Sequence, residues 1–281
     1  MSLTEEQIEI RKTGIGASEA PMVLGVSPHG GPVALFLRKL GLAEFETTDA
    51  QELGNFLEDG IANFYAWKTG ARVEKVNKTF RHPKISSVLA SPDRWVFTKD
   101  GRRKLLQIKL VGTHMAYHWN QGVPDYVQVQ CQQEMEVMGV AENDVCAVLG
   151  GTEPKIQTIY RDEELGADIA EADRRFWNDY ILTRTHPEPD GSEAADQMLK
   201  GMFPKSRPLE MIDSDLELDA LATDLFLARA SAAKQSLIEQ KIKARIGDAE
   251  GVKGPWWKAT WASNAKGNRT FLFKPAKGYQ P

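Results

Sequence analysis

Two short stretches hold residue types that could act together on a phosphodiester. Residues 91–93 read Ser-Pro-Asp, and after a gap of thirteen residues 107–109 read Gln-Ile-Lys. The second lies inside Leu-Leu-Gln-Ile-Lys-Leu-Val, residues 105–111, which has the composition of a buried strand. Strand side chains alternate between faces, so Leu106, Ile108 and Leu110 share one face while Gln107 and Lys109 share the other. Alternate residues project about 6–7 Å apart into the same cleft. Asp93 sits where one strand ends and the next begins, so its carboxylate can point into that cleft. The plain alternative is an aspartate that serves a turn. Oxygen ligands so placed could hold Mg²⁺. The metal would acidify a bound water and offset phosphate charge, with the lysine orienting the water or touching the phosphate.

Glu58 is the second acidic candidate. At 100° per residue it shares a helix face with Gly54, Ile61, Ala62 and Tyr65, while Asp59 and Asn63 point away. A carboxylate on a face that is otherwise small and apolar needs a cation or a donor. An Arg or Lys partner is one solution and a metal ion is the other.

The elements that must position these groups can be read in outline. Short helices are expected in 16–25 and 32–42, and a longer one in 49–70, closed by Gly70. A strand-rich block follows, with "RVEKVNKTF", "SVLASPD", "RWVFT" and "KLLQIKLV". Pro124 opens a helix, "PDYVQVQCQQEMEVMG"; then come strands "DVCAVLG" and "KIQTIY" and a helix from about 162 to 183. This order predicts an α/β fold, a mixed sheet flanked by helices. "THPEPDGSE" reads as a linker. One long helix is expected from about 214 to 246, then a hairpin of "KATWAS" and "RTFLFK" around "NAKGN". The domain expectation is therefore 1–204, with a C-terminal extension at 205–281.

Composition narrows the classes. The chain has 281 residues and a net charge of −4. No apolar run approaches the about 20 residues of a membrane helix, and the acidic N-terminus lacks the layout of a signal peptide. Two cysteines make no disulfide framework, which suits a reducing cytosol. The five histidines are scattered, against a Cys/His metal cluster. From Gly251 to Pro281 there is no Asp or Glu, but six Lys and Arg, interleaved with six aromatic residues. Such a segment can track a phosphate backbone and stack bases. It can equally be a hairpin whose aromatics pack on the body.

Together the motifs resemble a known family. "SPD", thirteen residues, then "QIK" is similar to the core of PD-(D/E)xK nucleases. "RKTGIGASEAPMVLGVSPHGGPVALFLRKLGL", "LGNFLEDGIANFYAWKTG", "LASPDRWV" and "VPDYVQVQCQQEMEVMGV" follow in the order of the YqaJ-type viral recombinases, the group that includes phage lambda exonuclease. The resemblance covers roughly 11–180. It implies a restriction-endonuclease-like core, here with a C-terminal helix and hairpin. It implies a Mg²⁺-dependent exonuclease, with Mn²⁺ as a substitute, that degrades the 5′ strand of duplex DNA and leaves 3′ overhangs for recombination. The implied centre is Glu58, Asp93, Gln107 and Lys109, with the backbone carbonyl of Ile108 as a further metal ligand and Gln128 facing the centre. Arg11 and Ser18 are implied to hold the 5′-terminal phosphate. Implied partners are DNA ends, a single-strand annealing protein and further copies of the chain in a trimeric ring. The implied setting is the cytoplasm of a bacterium carrying a phage or prophage. Read without the resemblance, Gln128 and Gln132 would satisfy backbone groups, Ser18 would cap a helix and Arg11 would be solvated.

The family expects glutamate at 107, where this chain has glutamine. An amide oxygen can still ligate a metal but brings no charge, so a hard dication should bind more weakly. The chain reads either as a working nuclease or as a holder of DNA ends.

Overall fold

A computed structural model describes residues 5–43, 48–228, 232–263 and 267–275. Lys266, Lys277 and Tyr279 of the basic tail lie outside the described residues. The chain divides into two compact units. One holds residues 1–31 and 38–185, the other 32–37 and 186–281. The boundary falls earlier than the expected 204/205.

The first unit opens with α1 (Glu5–Arg11), the two-residue β1 (Ile15–Gly16) and the short α2 (Ala20–Val23). The helix α3 (Pro32–Lys39) lies mostly in the second unit. Next come α4 (Asp49–Thr69), β2 (Arg72–Lys75), β3 (Phe80–Arg81), β4 (Val88–Ala90), β5 (Arg94–Phe97) and β6 (Arg103–Val111). A 3₁₀ turn at Thr113–Trp119 leads to α5 (Asp125–Met138), β7 (Glu142–Leu149), β8 (Glu153–Tyr160) and α6 (Glu163–Phe176). The main sheet has the order β2-β5-β6-β7-β8. Only β6 and β7 run parallel in it, so it is a mixed sheet as expected. The strand-rich block is not one meander, however. β3 and β4 leave it to form a second small sheet with β1. Gly14 permits this: a Cβ there would lie 2.3 Å from the Ser87 carbonyl oxygen, so β1 could not otherwise reach β4.

The alternation of β6 sorts the two faces of the main sheet. Leu106 and Ile108 pack with Ile61, Ala62 and Tyr65 of α4. Leu105 and Val111, on the Gln107 side, pack with Val127, Cys131 and Met135 of α5. Thr48 and Gln51 form a reciprocal cap that starts α4, and Gly70 in the left-handed region ends it.

The second unit adds α7 (Glu193–Met202), β9 (Arg207–Asp213), α8 (Leu216–Leu227), α9 (Ala232–Ile246), β10 (Ala249–Lys253), β11 (Trp257–Ser263) and β12 (Arg269–Pro275). Leu199 of α7 lies in the same core as Leu218, Ile242 and Trp261, which is why the boundary precedes α7. The single long helix expected from 214 to 246 is two helices. A straight helix of that span would reach about 50 Å, too long for both halves to cover one core. Asp215 caps α8, its carboxylate accepting from the Leu218 amide at 2.9 Å. The hairpin is present as β11–β12 and extends through β10 to β9. Its described aromatics pack as the hairpin reading expects: Trp257 and Trp261 are buried, and Phe271 and Phe273 pack against that core. Among the described residues no helix is long and apolar enough to cross a membrane.

Two predictions follow from this packing. Arg269 stacks 3.9 Å from the Trp261 ring and donates to the carbonyls of Trp261 and Gly247 at 2.7 Å and of Phe203 at 3.2 Å. Arg269→Met should cost about 2 kcal/mol in thermal or urea unfolding, because several carbonyls lose a charged donor; a loss under about 0.5 kcal/mol would contradict this role. Asp173 on α6 is fully buried, and neither of its oxygens has a partner among the described residues. The Gln133 amide oxygen beside it is equally unsatisfied, since Gln133 spends its NH₂ on the Ile15 and Leu89 carbonyls. Burial drives the Asp173 carboxyl far above its ordinary range. A raised folded-state value means that stability is full below the unfolded pKa of about 4 and is lost as pH climbs above it. Asp173→Asn should therefore raise Tm by about 2–4 °C at neutral pH, with the gain shrinking toward pH 4. Equal gains at both pH values would refute the argument.

Candidate active site

Asp93 stands where the β5–β6 ladder stops. Arg94 pairs with Leu106, and two residues further back Pro92 breaks the run. The Ile108 N–H therefore meets a side chain instead of a backbone, donating to Asp93 Oδ2 at 2.8 Å. Gln107 Nε2 donates to the same oxygen at 2.7 Å. Burial pushes the Asp93 carboxyl up to about 6; the Lys109 charge opposes the shift and that of Glu58 adds to it.

Glu58 projects from α4 toward this junction, as its helix face predicts. It forms an ion pair with Arg94. Arg94 is itself buried, donating also to the Asp93 carbonyl at 2.7 Å and to Asp59 at 2.6 Å. It was not foreseen, although the need of Glu58 for a cation pointed to such a residue.

The helix α5 supplies the rest. Lys109 Nζ donates to Gln130 Oε1 at 2.8 Å. Gln130 Nε2 donates to Gln107 Oε1 at 2.9 Å and to Glu134 Oε1 at 3.0 Å. The expected residue on this helix was Gln128, and that expectation is corrected. The Gln128 amide donates to the Val123 carbonyl at 2.7 Å, in the last turn before α5. Two residues along a helix turn the side chain by 200°, which puts Gln130 on the sheet side. Gln132 binds backbone at both ends, donating to the Tyr160 carbonyl and accepting from the Asp162 amide. Glu134 is buried and also accepts from Asn143 Nδ2 at 2.8 Å. Burial, with Asp93 adding to it, pushes its carboxyl up to about 7. His29 lies near Lys109 too: burial and the lysine's charge lower its pKa, and its ring meets Tyr126 edge-on.

The chemistry of the donor set bears on a metal. Among the described residues no three His, Cys, Asp or Glu side chains converge as in a dedicated cage. Mg²⁺ needs less, since it keeps several waters and takes one or two carboxylates. Asp93 and Glu58, whose charge adds to the upward shift of the Asp93 carboxyl, fit that requirement. Gln107 in its present orientation turns NH₂, not oxygen, toward Asp93.

Arg11 and Ser18 form a separate pair. Arg11 Nη2 donates to Ser18 Oγ at 2.8 Å, so the serine is partnered by the arginine, and no side-chain cap starts α2. Behind them lies a buried ion cluster. Glu19 pairs with Arg38 at 2.8 Å and Lys39 at 2.7 Å, and accepts from the Gly16 amide at 2.8 Å. Its carboxyl is held low by Lys39, Arg11 and Arg38 against the cost of burial. Gln133 of α5 braces the same β1 segment through the Ile15 carbonyl.

Residues 7–141 match the model of the YqaJ-like viral recombinase domain. The Bacillus subtilis protein YqaJ is 30% identical over 261 residues, 89% of this chain and 80% of that one. The fold is similar to that of LHK-Exo, an alkaline exonuclease from Laribacter hongkongensis. Its crystal structure with dAMP superposes with a TM-score of 0.54 at 23% identity, over 64% of this chain and 94% of that one. A second crystal structure of it gives 0.53 at 24%, with the same coverage. The shared order of motifs, the extent of the match and the common fold agree: the chain belongs to the YqaJ-like viral recombinase family.

Proposed function

We propose that the chain is a metal-dependent exonuclease that degrades the 5′ strand of linear double-stranded DNA and leaves 3′ overhangs for phage-type recombination. The observation that carries this reading is the joining of Asp93, Gln107 and Lys109 at the open end of the β5–β6 ladder, in a chain of a viral recombinase family. The likeness to an alkaline exonuclease supports it. Mg²⁺ is the proposed cofactor and Mn²⁺ its substitute. Asp93 and Glu58 would hold it, with the Ile108 carbonyl, while Gln107 stands beside them with its oxygen taken by Gln130. Bound there, the ion would acidify a water and offset the charge of the phosphate.

The chain's own groups do the remainder. Gln130 holds the Lys109 ammonium through a neutral oxygen, which aims the charge without cancelling it. Lys109 is then free to contact the scissile phosphate or to orient the attacking water. Arg11, already fixed on Ser18, would take the 5′-terminal phosphate through a bidentate guanidinium, with the hydroxyl as a further donor. The proposed setting is a bacterial cytoplasm during phage or prophage recombination. The proposed partners are DNA ends, further copies in a trimeric ring, and an annealing protein docked on the second unit.

One observation favours a second reading, a holder of DNA ends with weak cleavage. Gln107 points NH₂ at Asp93, where a cation would need oxygen. Release of nucleotides from 5′-labelled linear duplex in Mg²⁺ separates the two. The nuclease reading expects release from this chain, faster release from Gln107→Glu, and a fall of about 100-fold or more in Lys109→Ala. No release from either this chain or Gln107→Glu would sink it. Release from Gln107→Glu alone would leave the end-holding reading. For the phosphate site, Arg11→Ala should abolish the preference for 5′-phosphorylated over 5′-hydroxyl ends. An unchanged preference would remove Arg11 from that role.

A further inference from the structure

We propose that Glu134 carries the buried negative charge that position 107 lacks and, acting through Gln130, positions both the Gln107 amide and the Lys109 ammonium. This inference rests on the metal-dependent reading above and adds to it a positioning residue outside the Glu58, Asp93, Gln107 and Lys109 set.

The polarity of the hydrogen-bond chain carries the argument. An ammonium only donates and a carboxylate only accepts. Gln130 lies between one of each, with Lys109 on its oxygen and Glu134 on its nitrogen. Its orientation is thereby fixed. Gln107 must then offer its oxygen to Gln130 and its NH₂ to Asp93. Donation runs in one direction from Lys109 through Gln130 and Gln107 to Asp93, while Glu134 accepts from both Gln130 and Asn143. Turning either glutamine amide alone would set donor against donor at one end and acceptor against acceptor at the other.

Charge gives the second line. Glu58 is balanced by Arg94. Lys109 acts on both Asp93 and Glu134, and Arg94, already paired with Glu58, adds a smaller pull on Asp93 alone. Glutamate at 107 could still accept from Gln130, but its second oxygen would stand about where Nε2 now lies, 2.7 Å from Asp93 Oδ2. With Glu134 ionised as well, three buried carboxylates would face one ammonium. The structure has places for two, and this chain fills them with Asp93 and Glu134. Glu134 is 1% exposed and touches neither Asp93 nor Lys109 through any hydrogen bond described, so its hydrogen-bonded link to the centre is Gln130, beside the direct field of its charge.

The test is a charge swap in the full chain, with Glu134→Gln, Gln107→Glu and the double variant measured above the pKa of Glu134. Glutamine matches glutamate in shape. Asn143 Oδ1, buried and without a partner among the described residues, can turn to accept from the new amide. Mn²⁺ binding is read by calorimetry, and thermal unfolding is followed with and without Mn²⁺. Glu134→Gln should weaken Mn²⁺ binding about tenfold. Gln107→Glu should lower the Tm of the metal-free chain. The double variant should return both readings to near those of the parent, with binding within about twofold. A Glu134→Gln chain that fails to fold while the double variant folds supports the proposal. Unchanged binding in Glu134→Gln, or a double variant no better than that single variant, overturns it. So does a double variant that fails to fold where Gln107→Glu folds. A parent that neither binds Mn²⁺ nor releases nucleotides from duplex DNA overturns the metal-dependent reading and this inference together. A parent that does both, with a failed swap, overturns this inference alone.

Discussion

Everything in the site depends on Asp93 standing in for a strand. The β5 backbone stops at Arg94, and the carboxylate two atoms beyond the chain takes the Ile108 N–H that the ladder would have used. This substitution joins the acid to β6 at the point where β6 turns its polar residues toward α5. It also brings Gln107 and Asp93 together without a flexible loop between them. A carboxylate held by a backbone N–H on a central strand loses little of its geometry to side-chain rotation. The cost is burial, and the upward shift of Asp93 to about 6 measures it.

The helix α5 bears the complementary burden. Val127, Cys131 and Met135 fasten it to the sheet, while its polar residues bind in three directions. Gln130 and Glu134 face Gln107 and Lys109, Gln132 takes the Tyr160 carbonyl and Asp162 amide, and Gln133 takes the carbonyls of β1 and β4. One helix thus sets both the centre and the segment that leads from Arg11 to Ser18. Polar groups buried in this number stay stable only if each is met, because an unmet one costs about 1–3 kcal/mol. Tilting α5 would break bonds on all three sides at once, so the network resists small shifts as a unit.

Much of this was legible before any fold was known. The alternation in 105–111 gave the correct faces, and the wheel around Glu58 separated it from Asp59 and Asn63. The choice of Gln130 over Gln128 was not legible. "QVQCQQE" places four glutamines within seven residues, and periodicity alone does not say which edge of the apolar stripe meets a lysine. Glu134 was hidden for a related reason: in "QEME" it looks like a solvated pair with Glu136, although it lies one turn from Gln130 on the sheet side. Arg94 was hidden because a residue opening a strand shows no periodicity. The long helix after residue 214 failed where apolar spacing continued across a turn, so only the demand of a shared core broke it in two. The basic tail left two readings open, and its packing was legible only as one of them. Its Trp and Arg side chains are spent on each other and on carbonyls.

A polar network this deep is a poor way to stabilise a core. Replacing buried charges with apolar residues of equal volume is often neutral or stabilising. The carboxyls of Asp93 and Glu134 are both pushed upward, so each would be easier to fold if it were neutral. They persist where β6 presents a lysine to α5 and a third acid, Glu58, acts on Asp93. Two acids held against their own burial near one lysine leave a cost that folding does not remove. On the proposed metal-dependent reading, an entering cation would relieve that cost, so the same strain that weakens the core would supply the attraction for metal.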